Sequence, residues 1–222
     1  MKLVLFDIDD TLLSSGGAGT KSLNLAFEDI FSIPHAFKSI SMAGKTDIQI
    51  MKEGLGKYGL DSENGNVPLL CENYINHLRV QIENPDRHLK PGIRESLLRL
   101  SATDDVYLGL LTGNIAEGAR IKLDPFGLNS FFSIGAFGSD DEDRNRLLPV
   151  AIERFKNTHN IDIRYTDCIV IGDTPRDVEC AKVYGAYSIA VATGPYTYES
   201  LAASWPDMVL RDMSEMDYKF IL

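Results

Sequence analysis

The sequence predicts an α/β protein with a Rossmann-like parallel sheet core and a helical cap domain inserted into it. Three observations predict this fold. Short apolar runs alternate with segments of helical periodicity from Val106 onward. Residues 16–88 contain helical patterns without a convincing strand. A single apolar run, Lys2–Phe6, precedes that region. We therefore expect residues 1–15 and 89–222 to form the core and residues 16–88 to form the cap.

Composition excludes several classes of function. At 222 residues, with 44% hydrophobic and 24% charged residues, the chain resembles an ordinary globular protein with a substantial core. Its net charge of -10 repels nucleic-acid phosphates and anionic lipid surfaces. We expect neither nucleic acid nor a membrane as a partner, whereas a small anionic substrate stays possible where a local cation reverses the field.

The cysteines and the N-terminus indicate the compartment. Cys71, Cys168 and Cys180 are widely spaced and form no pairing or metal-binding pattern, so we expect reduced thiols. No signal-peptide pattern precedes Asp7, and no apolar stretch is long enough to span a bilayer. The expected location is the cytoplasm. The oligomeric state is not readable from the sequence.

The core strands follow from apolar runs that end in turn residues. After Lys2–Phe6, four such runs are predicted at residues 106–111, 131–137, 168–171 and 187–192. Helical spacing fills the gaps at residues 116–123, 147–155 and 177–184. Strands that alternate with helices of this length form a parallel sheet covered on both faces.

The inserted region has a different pattern. Amphipathic helices are predicted at residues 22–31, 47–58 and 68–83, and a further helix at 93–100 leads back into the sheet. Gly16-Gly17-Ala18-Gly19 resembles a phosphate-binding loop, but no Lys-Ser follows it and no strand directly precedes it. We interpret it as the hinge where the chain leaves for the cap.

The carboxylates that follow the first strand are the strongest chemical signal. Asp7 and Asp9 share a face in extended chain, whereas Asp10 points away. In open α/β sheets, ligands bind at the carboxyl ends of the strands. Two adjacent carboxylates repel by roughly 1 kcal/mol when solvated and by more when partly buried. A fold keeps such a pair when a cation lies between them or when one carries a proton.

Two further strand ends carry groups suited to the same site. The hydroxyl of Thr112 and the neighbouring backbone N–H groups can bind phosphoryl oxygens. Asp173 would face Asp7 and Asp9, a grouping that requires a metal, and Mg2+ prefers such carboxylate oxygens. Asp177 is a natural acid for the first turn of a helix, where the helix dipole favours negative charge. It could fill that structural role and also orient a metal-bound water.

These motifs together resemble the haloacid dehalogenase superfamily, in its phosphatase branch with a helical cap of the phosphoglycolate phosphatase and β-phosphoglucomutase kind. Order and spacing agree over essentially the whole chain. The matching segments are Asp7-Ile8-Asp9-Asp10-Thr11, Thr112, Asp143-Arg144-Asn145-Arg146 and Gly172-Asp173-Thr174-Pro175-Arg176-Asp177. The family often has Lys-Pro at the third of these segments, and this chain has two arginines there instead.

The resemblance implies a Mg2+-dependent phosphatase that hydrolyses a small phosphorylated metabolite through an aspartyl-phosphate intermediate. Asp7 would be the nucleophile and Asp9 the general acid and base. Thr112 and Arg144 would stabilise the phosphoryl oxygens. The implied Mg2+ site comprises Asp7, the backbone carbonyl of Asp9, Asp173 and Asp177.

The expected site also includes one of two arginines and three further residues that contact the substrate. Arg144 is preferred to Arg146 because it is closer to the end of the preceding strand. Gly113 and Asn114, beside Thr112, are expected to contact the substrate. In the cap, Lys45 belongs to a Gly-Lys-Thr turn that opens a helix and is expected to face the active site.

Three alternative functions compete with this interpretation. A phosphosugar mutase of the same family differs only in how the cap excludes water. A haloacid dehalogenase is disfavoured, since those relatives need no metal and lack the acid at the position of Asp9. A receiver-like signalling module would use Asp140 and would be shorter.

The acidic run at 140–143 lacks an EF-hand pattern, and the four histidines lack ligand spacing.

Overall fold

The computed structural model describes residues 1–220 and contains a parallel sheet flanked by helices. The strands are β1 (Lys2–Phe6), β2 (Leu13–Ser14), β3 (His88–Leu89), β4 (Val106–Thr112), β5 (Ile134–Phe137), β6 (Cys168–Gly172), β7 (Tyr187–Val191) and β8 (Met208–Leu210). The α-helices are α1 (Ala18–Phe31), α2 (Asp47–Lys57), α3 (Asn66–Gln81), α4 (Ile93–Ser101), α5 (Ala116–Leu123), α6 (Leu147–His159), α7 (Pro175–Lys182) and α8 (Tyr198–Ala202).

The main sheet has the order β5-β4-β1-β6-β7-β8, and every neighbouring pair is parallel. β1 is central, with Leu5 opposite Gly109 of β4 and Val170 of β6. The carboxyl ends of β1, β4 and β6 therefore lie side by side at one edge of the sheet. The predicted α/β fold is confirmed.

The core lies on both faces of the sheet because side chains alternate along each strand. Val4 and Phe6 of β1 pack into one apolar cluster, and Leu3 and Leu5 pack into another on the opposite face. All four side chains are fully buried. This two-sided burial explains why β1 is a continuous apolar run, and it fixes the position of the carboxylates that follow it.

The inserted helices form their own apolar cluster and are seated on the core. Phe27, Phe37 and Tyr74 are buried in this cluster, which also takes in Ile115 and Ile121 from the region of α5. The two-stranded pair β2–β3 links the points where the chain leaves and re-enters the core. The division into residues 16–88 as cap and residues 1–15 and 89–222 as core stays a prediction.

Two details of the sheet differ from expectation. The sixth strand, β8, was not predicted because it contains only three residues and depends on pairing with β7. β5 begins at Ile134 because Asn129–Phe131 forms a 3-10 turn in which the N–H of Phe132 donates to the carbonyl of Asn129.

Within residues 1–220, no helix combines the length and apolarity that crossing a bilayer requires. The cytoplasmic location stays a prediction.

Candidate active site

Three strand ends meet beneath the cap. Asp7 directly follows β1, Thr112 is the last residue of β4, and Asp173 directly follows β6. All three side chains are buried, and all three line a cavity of about 260 Å³ between the sheet edge and the cap. The sequence-predicted nucleophile, hydroxyl and second acid thus lie in one cavity.

Asp7 lies at the base of this cavity against a buried cation. Its Oδ1 is 3.1 Å from Nη2 of Arg144, and it forms a hydrogen bond with the Thr112 hydroxyl. Burial raises the pKa of Asp7 to about 6 against the opposing effect of Arg144, and the carboxylates of Asp177 and Asp9 add to the rise. The carboxylate is therefore held in place but is incompletely neutralised by the protein alone.

Three acids form a cluster suited to a divalent cation. One oxygen each from Asp7, Asp173 and Asp177 lies within 4.8 Å of the other two. Burial, together with repulsion by Asp177 and Asp7, raises the pKa of Asp173 to about 9. Thr11 donates to Oδ1 of Asp173 at 3.3 Å. The cluster offers only carboxylate oxygens, and its three negative charges face a single guanidinium. Such a site suits Mg2+, which prefers oxygen ligands and would neutralise the remaining negative charge.

Asp177 occupies both of its oxygens with protein donors. Oδ2 accepts from the backbone N–H of Thr174 at 3.0 Å and from its hydroxyl at 2.7 Å, which forms a capping box at the start of α7. Oδ1 accepts from Nη2 of Arg144. A Cβ on Gly172 would lie 2.0 Å from Cγ of Asp177, so this close packing requires glycine. Asp177 as a metal ligand stays a prediction.

Arg144 and Arg146 have different surroundings. The Arg144 side chain is 5% exposed and lines the cavity, whereas that of Arg146 is 70% exposed and lies near Asp141 and Asp143. Burial opposes the charge on Arg144, but Asp177 and Asp7 outweigh it and raise its pKa. Among the described residues, the buried Nε of Arg144 has no hydrogen-bond partner. Its N–H is therefore available to donate a hydrogen bond to a phosphoryl oxygen.

Asp9 faces a second cation that the sequence reasoning missed. Its Oδ2 accepts from Nδ2 of Asn114 at 2.8 Å and from Nζ of Lys122 at 2.6 Å. Lys122 continues an apolar face of α5, since Ile115, Ala119 and Lys122 are spaced i, i+4 and i+7. The presence of a lysine on this apolar face is the sequence feature that indicates a buried, paired cation.

Asn114 orients the carboxylate and the hydroxyl together. Its Nδ2 donates to Asp9 and, at 2.8 Å, to the hydroxyl of Thr112, and its Oδ1 accepts from Lys122 at 2.6 Å. The amide is thus fully used within the protein. Contact of Asn114 with the substrate stays a prediction.

The cap reaches the site through the loop before α2. The N–H of Asp47 donates to the carbonyl of Gly113 at 2.7 Å, and Oδ2 of Asp47 accepts from the N–H of Ile115 at 2.9 Å. A Cβ on Gly113 would lie 2.2 Å from the carbonyl oxygen of Lys45, so the two backbones are in close contact. Lys45 lines the cavity, and its Nζ is 2.5 Å from Oε2 of Glu53. The substrate contacts of Gly113 and Lys45 stay predictions.

The two acids that could compete for the nucleophilic role are bound elsewhere. Asp10 is 2.7 Å from Nζ of Lys90. Asp140 makes two 2.7 Å bonds to Arg154 and accepts from the N–H of Phe137. Both therefore have structural partners, and Asp140 is not among the residues that line the cavity.

Comparison with known proteins identifies a family and several relatives. A family model described as haloacid dehalogenase-like hydrolase matches residues 4–191. A phosphoglycolate phosphatase of Synechococcus elongatus is 30% identical over 60% of this chain and 59% of its own length. A phosphoglycolate phosphatase of Vibrio vulnificus is 25% identical over 97% of this chain and 94% of its own length.

Solved structures share the fold over nearly the whole chain. A protein described as a predicted phosphatase from Clostridium acetobutylicum superposes with a TM-score of 0.74 at 21% identity, covering 99% of this chain and 98% of its own. CbbY from Rhodobacter sphaeroides, solved in complex with phosphate, gives a TM-score of 0.75 at 16% identity, covering 97% of this chain and 96% of its own. At these identities the likeness shows the fold alone.

Proposed function

The chain belongs to the haloacid dehalogenase-like hydrolase family, and on that premise we propose that it is a Mg2+-dependent phosphatase acting on a small phosphorylated metabolite through an aspartyl-phosphate intermediate. The observation that carries this proposal is the position of Asp7. Its carboxylate is buried at the base of the cavity, beside the Arg144 guanidinium and the Thr112 hydroxyl. The nearby acid Asp9 is paired with Lys122 instead of with this carboxylate.

The chemistry follows from the assigned roles of these groups. Asp7 attacks phosphorus, and its bond to phosphorus forms as the bond to the leaving alkoxide breaks. Asp9 donates a proton to that alkoxide, then accepts one from the water that attacks the phosphoenzyme and releases Asp7. Arg144 and Thr112 hold the phosphoryl oxygens, where preorganised donors stabilise the charge of the transition state.

The acidic cluster is the proposed position for Mg2+. Asp7 and Asp173, with the backbone carbonyl of Asp9 and with Asp177 beside them, would hold the ion, which when bound supplies positive charge to the phosphoryl group. The raised pKa values of Asp7 and Asp173 support this assignment, because they result from burial and from repulsion by neighbouring carboxylates, both of which a bound cation would offset.

The cavity and the relatives suggest the first compounds to test. Its volume, about 260 Å³, is slightly smaller than the roughly 300–1,000 Å³ typical of small-molecule sites, which favours a small substrate. The two relatives described above, from Synechococcus elongatus and Vibrio vulnificus, are phosphoglycolate phosphatases. We therefore place 2-phosphoglycolate first in the substrate panel, followed by short sugar phosphates.

The test compares three proteins in a phosphate-release assay with and without Mg2+. Wild type should hydrolyse at least one small phosphomonoester only when Mg2+ is present, and Asp7→Asn should lose that activity. Asp140→Asn is the matched control, because it removes a carboxylate that follows another strand of the same sheet, β5, and does not line the cavity. Activity that persists in Asp7→Asn but is lost in Asp140→Asn would support a receiver-like module instead.

The same assay separates hydrolysis from phosphosugar isomerisation. A mutase would use Asp7 and Asp9 in the same roles but would return the phosphoryl group to the sugar. With a sugar phosphate as substrate, release of inorganic phosphate supports the phosphatase. Formation of an isomeric sugar phosphate without phosphate release supports the mutase.

A further inference from the structure

Lys122 is a buried cation that the proposed chemistry does not use. It lies in the last turn of α5, and its side chain is 4% exposed. A lysine is rarely buried unless it is paired, because removal of its charge from water is costly. Burial opposes the charged form, but the carboxylate of Asp9, with further contributions from Tyr74 and Asp47, outweighs it and raises the pKa of Lys122. The lysine is therefore held in its buried position by these acidic neighbours.

The contacts of Lys122 define the orientation of Asp9. Its Nζ lies 2.6 Å from Oδ2 of Asp9 and 2.6 Å from Oδ1 of Asn114, and Asn114 itself donates to the same Oδ2. Two donors thus converge on one carboxylate oxygen. The rotation of the Asp9 carboxylate is fixed by this arrangement, and Oδ1 is left for proton exchange.

The cap supplies the other side of the Lys122 environment. Tyr74 of α3 is fully buried, and its hydroxyl interacts with the lysine. Asp47 of α2 contributes its negative charge. A Cβ on Gly19 of α1 would lie 3.4 Å from Nζ of Lys122 and 3.7 Å from the hydroxyl oxygen of Tyr74. Residues from all three cap helices therefore enclose an ammonium that belongs to the core.

We propose that Lys122 is a positioning residue that holds Asp9 in its proton-transfer orientation and does so fully only when the cap is packed on the core. The inference rests on the phosphatase function proposed above. Asp9 moves both protons, first to the leaving alkoxide and later from the attacking water. Cap closure and general acid–base catalysis are thereby coupled through one side chain.

Leaving-group chemistry distinguishes this role from a merely structural one. An alkyl phosphate needs a proton from Asp9 as its bond to phosphorus breaks, whereas nitrophenolate leaves without one. Both substrates need Asp9 as the base when water attacks the phosphoenzyme. Loss of the Asp9 orientation should therefore slow both steps for an alkyl ester but only the second step for the nitrophenyl ester.

The experiment is a rapid-mixing measurement on Lys122→Met with p-nitrophenyl phosphate, together with steady-state kinetics on the alkyl substrate found by the panel. We expect kcat on the alkyl ester to fall by about 100-fold. With the nitrophenyl ester we expect a burst of nitrophenolate at close to the wild-type rate, followed by slow turnover. Lys182→Met is the matched control, since it makes the same change at an exposed position in the last turn of α7 and should behave as wild type.

Each other outcome is informative. An equal fall in the burst rate and in alkyl turnover would overturn the proposal, as would wild-type behaviour of Lys122→Met. If Lys122→Met fails to fold, Asp9→Asn is compared with Asp9→Asn/Lys122→Met, which removes both charges of the pair. Equal burst rates in these two proteins support action through Asp9, and a further loss in the double variant contradicts it. Wild type without any turnover would contradict the phosphatase function itself.

Discussion

Nη2 of Arg144 lies 3.1 Å from Oδ1 of Asp7, and the same nitrogen bonds Oδ1 of Asp177. One buried guanidinium therefore links the proposed nucleophile, which follows β1, with the acid that caps α7. It faces two carboxylates directly, and Asp173 lies in the same acidic cluster. This imbalance of charge is the basis of the proposed cation and phosphate binding.

Replacement of Arg144 tests its assignment as the phosphoryl-binding residue. Arg144→Ala should lower kcat/KM by about 100-fold or more, because it removes a buried donor from the charge that develops on phosphorus. Arg146→Ala should change it little, since that side chain is 70% exposed. Steady-state kinetics on both variants, with circular dichroism to check folding, make the comparison. A loss confined to Arg146→Ala would assign phosphoryl binding to Arg146 instead of Arg144.

The stability of the metal-free protein should fall as pH rises. Burial and neighbouring carboxylates raise the pKa of Asp7 to about 6 and that of Asp173 to about 9, whereas the ordinary pKa of an aspartate side chain is 3.8. Since the folded state binds more protons across that range, the unfolding free energy decreases with pH there. Mg2+ should therefore raise Tm little near about pH 5, where protons compete with the ion, and more near about pH 8.

Thermal unfolding in EDTA and in saturating Mg2+ across this pH range checks that expectation. Asp173→Asn is the control, because it removes the group with the largest rise in pKa among the clustered acids. Its Tm in EDTA should depend less on pH than that of wild type. A Mg2+ effect on Tm that is the same at every pH would contradict proton competition at this cluster.

Gly194 lies against a proposed metal ligand. A Cβ at this position would lie 1.8 Å from Oδ2 of Asp173 and 3.2 Å from Cβ of Asp10. Gly194→Ala should displace the Asp173 carboxylate and increase the Mg2+ concentration needed for half-maximal activity. Gly56→Ala, in α2, places its new Cβ in open space, with no described atom within 4 Å beyond its chain neighbours and its own helix backbone, and should leave that concentration unchanged. A Mg2+ titration of activity that is identical for both variants would argue against this position for the ion.

Asp47 links the cap to the core. Its carboxylate accepts from the N–H of Ile115 at 2.9 Å, and burial raises its pKa to about 6, against the effect of Lys122. Asp47→Ala should raise KM and lower kcat by weakening cap closure, and it should make the cap more sensitive to proteolysis. Glu72→Ala, at an exposed position on α3 of the cap, is the control. Unchanged proteolysis and kinetics in Asp47→Ala would show that this contact does not hold the cap.

Much of the site was predictable from the chain because it lies at strand ends. Asp7, Thr112 and Asp173 each terminate or directly follow an apolar run, and parallel strands bring their carboxyl ends to one edge. No contact information was needed to place them together. β8 could not be found in the same way, since three residues carry no periodicity and the strand depends on its pairing with β7.

Lys122 and Asp47 were missed for a different reason. A lysine in the last turn of a helix and an aspartate in the first turn are both favoured by the helix dipole, so each has an ordinary local explanation. Their burial results from the packing of the cap on α5. The apolar stripe of α5 that includes Lys122 indicates burial, but a local pattern cannot show which distant segment covers that face or which acid pairs with the lysine.

The sequence by itself determined the α/β class, the position of Asp7 at the carboxyl end of a strand and the types of group available for phosphate chemistry. These follow from apolar periodicity and from the rule that parallel strands share an edge. Only the tertiary structure distinguished buried Arg144 from exposed Arg146 and placed Lys122 against Asp9. The reason is physical: two arginines separated by one residue differ in what packs over them, and the charge pairs of a buried site depend on contacts between segments distant in sequence.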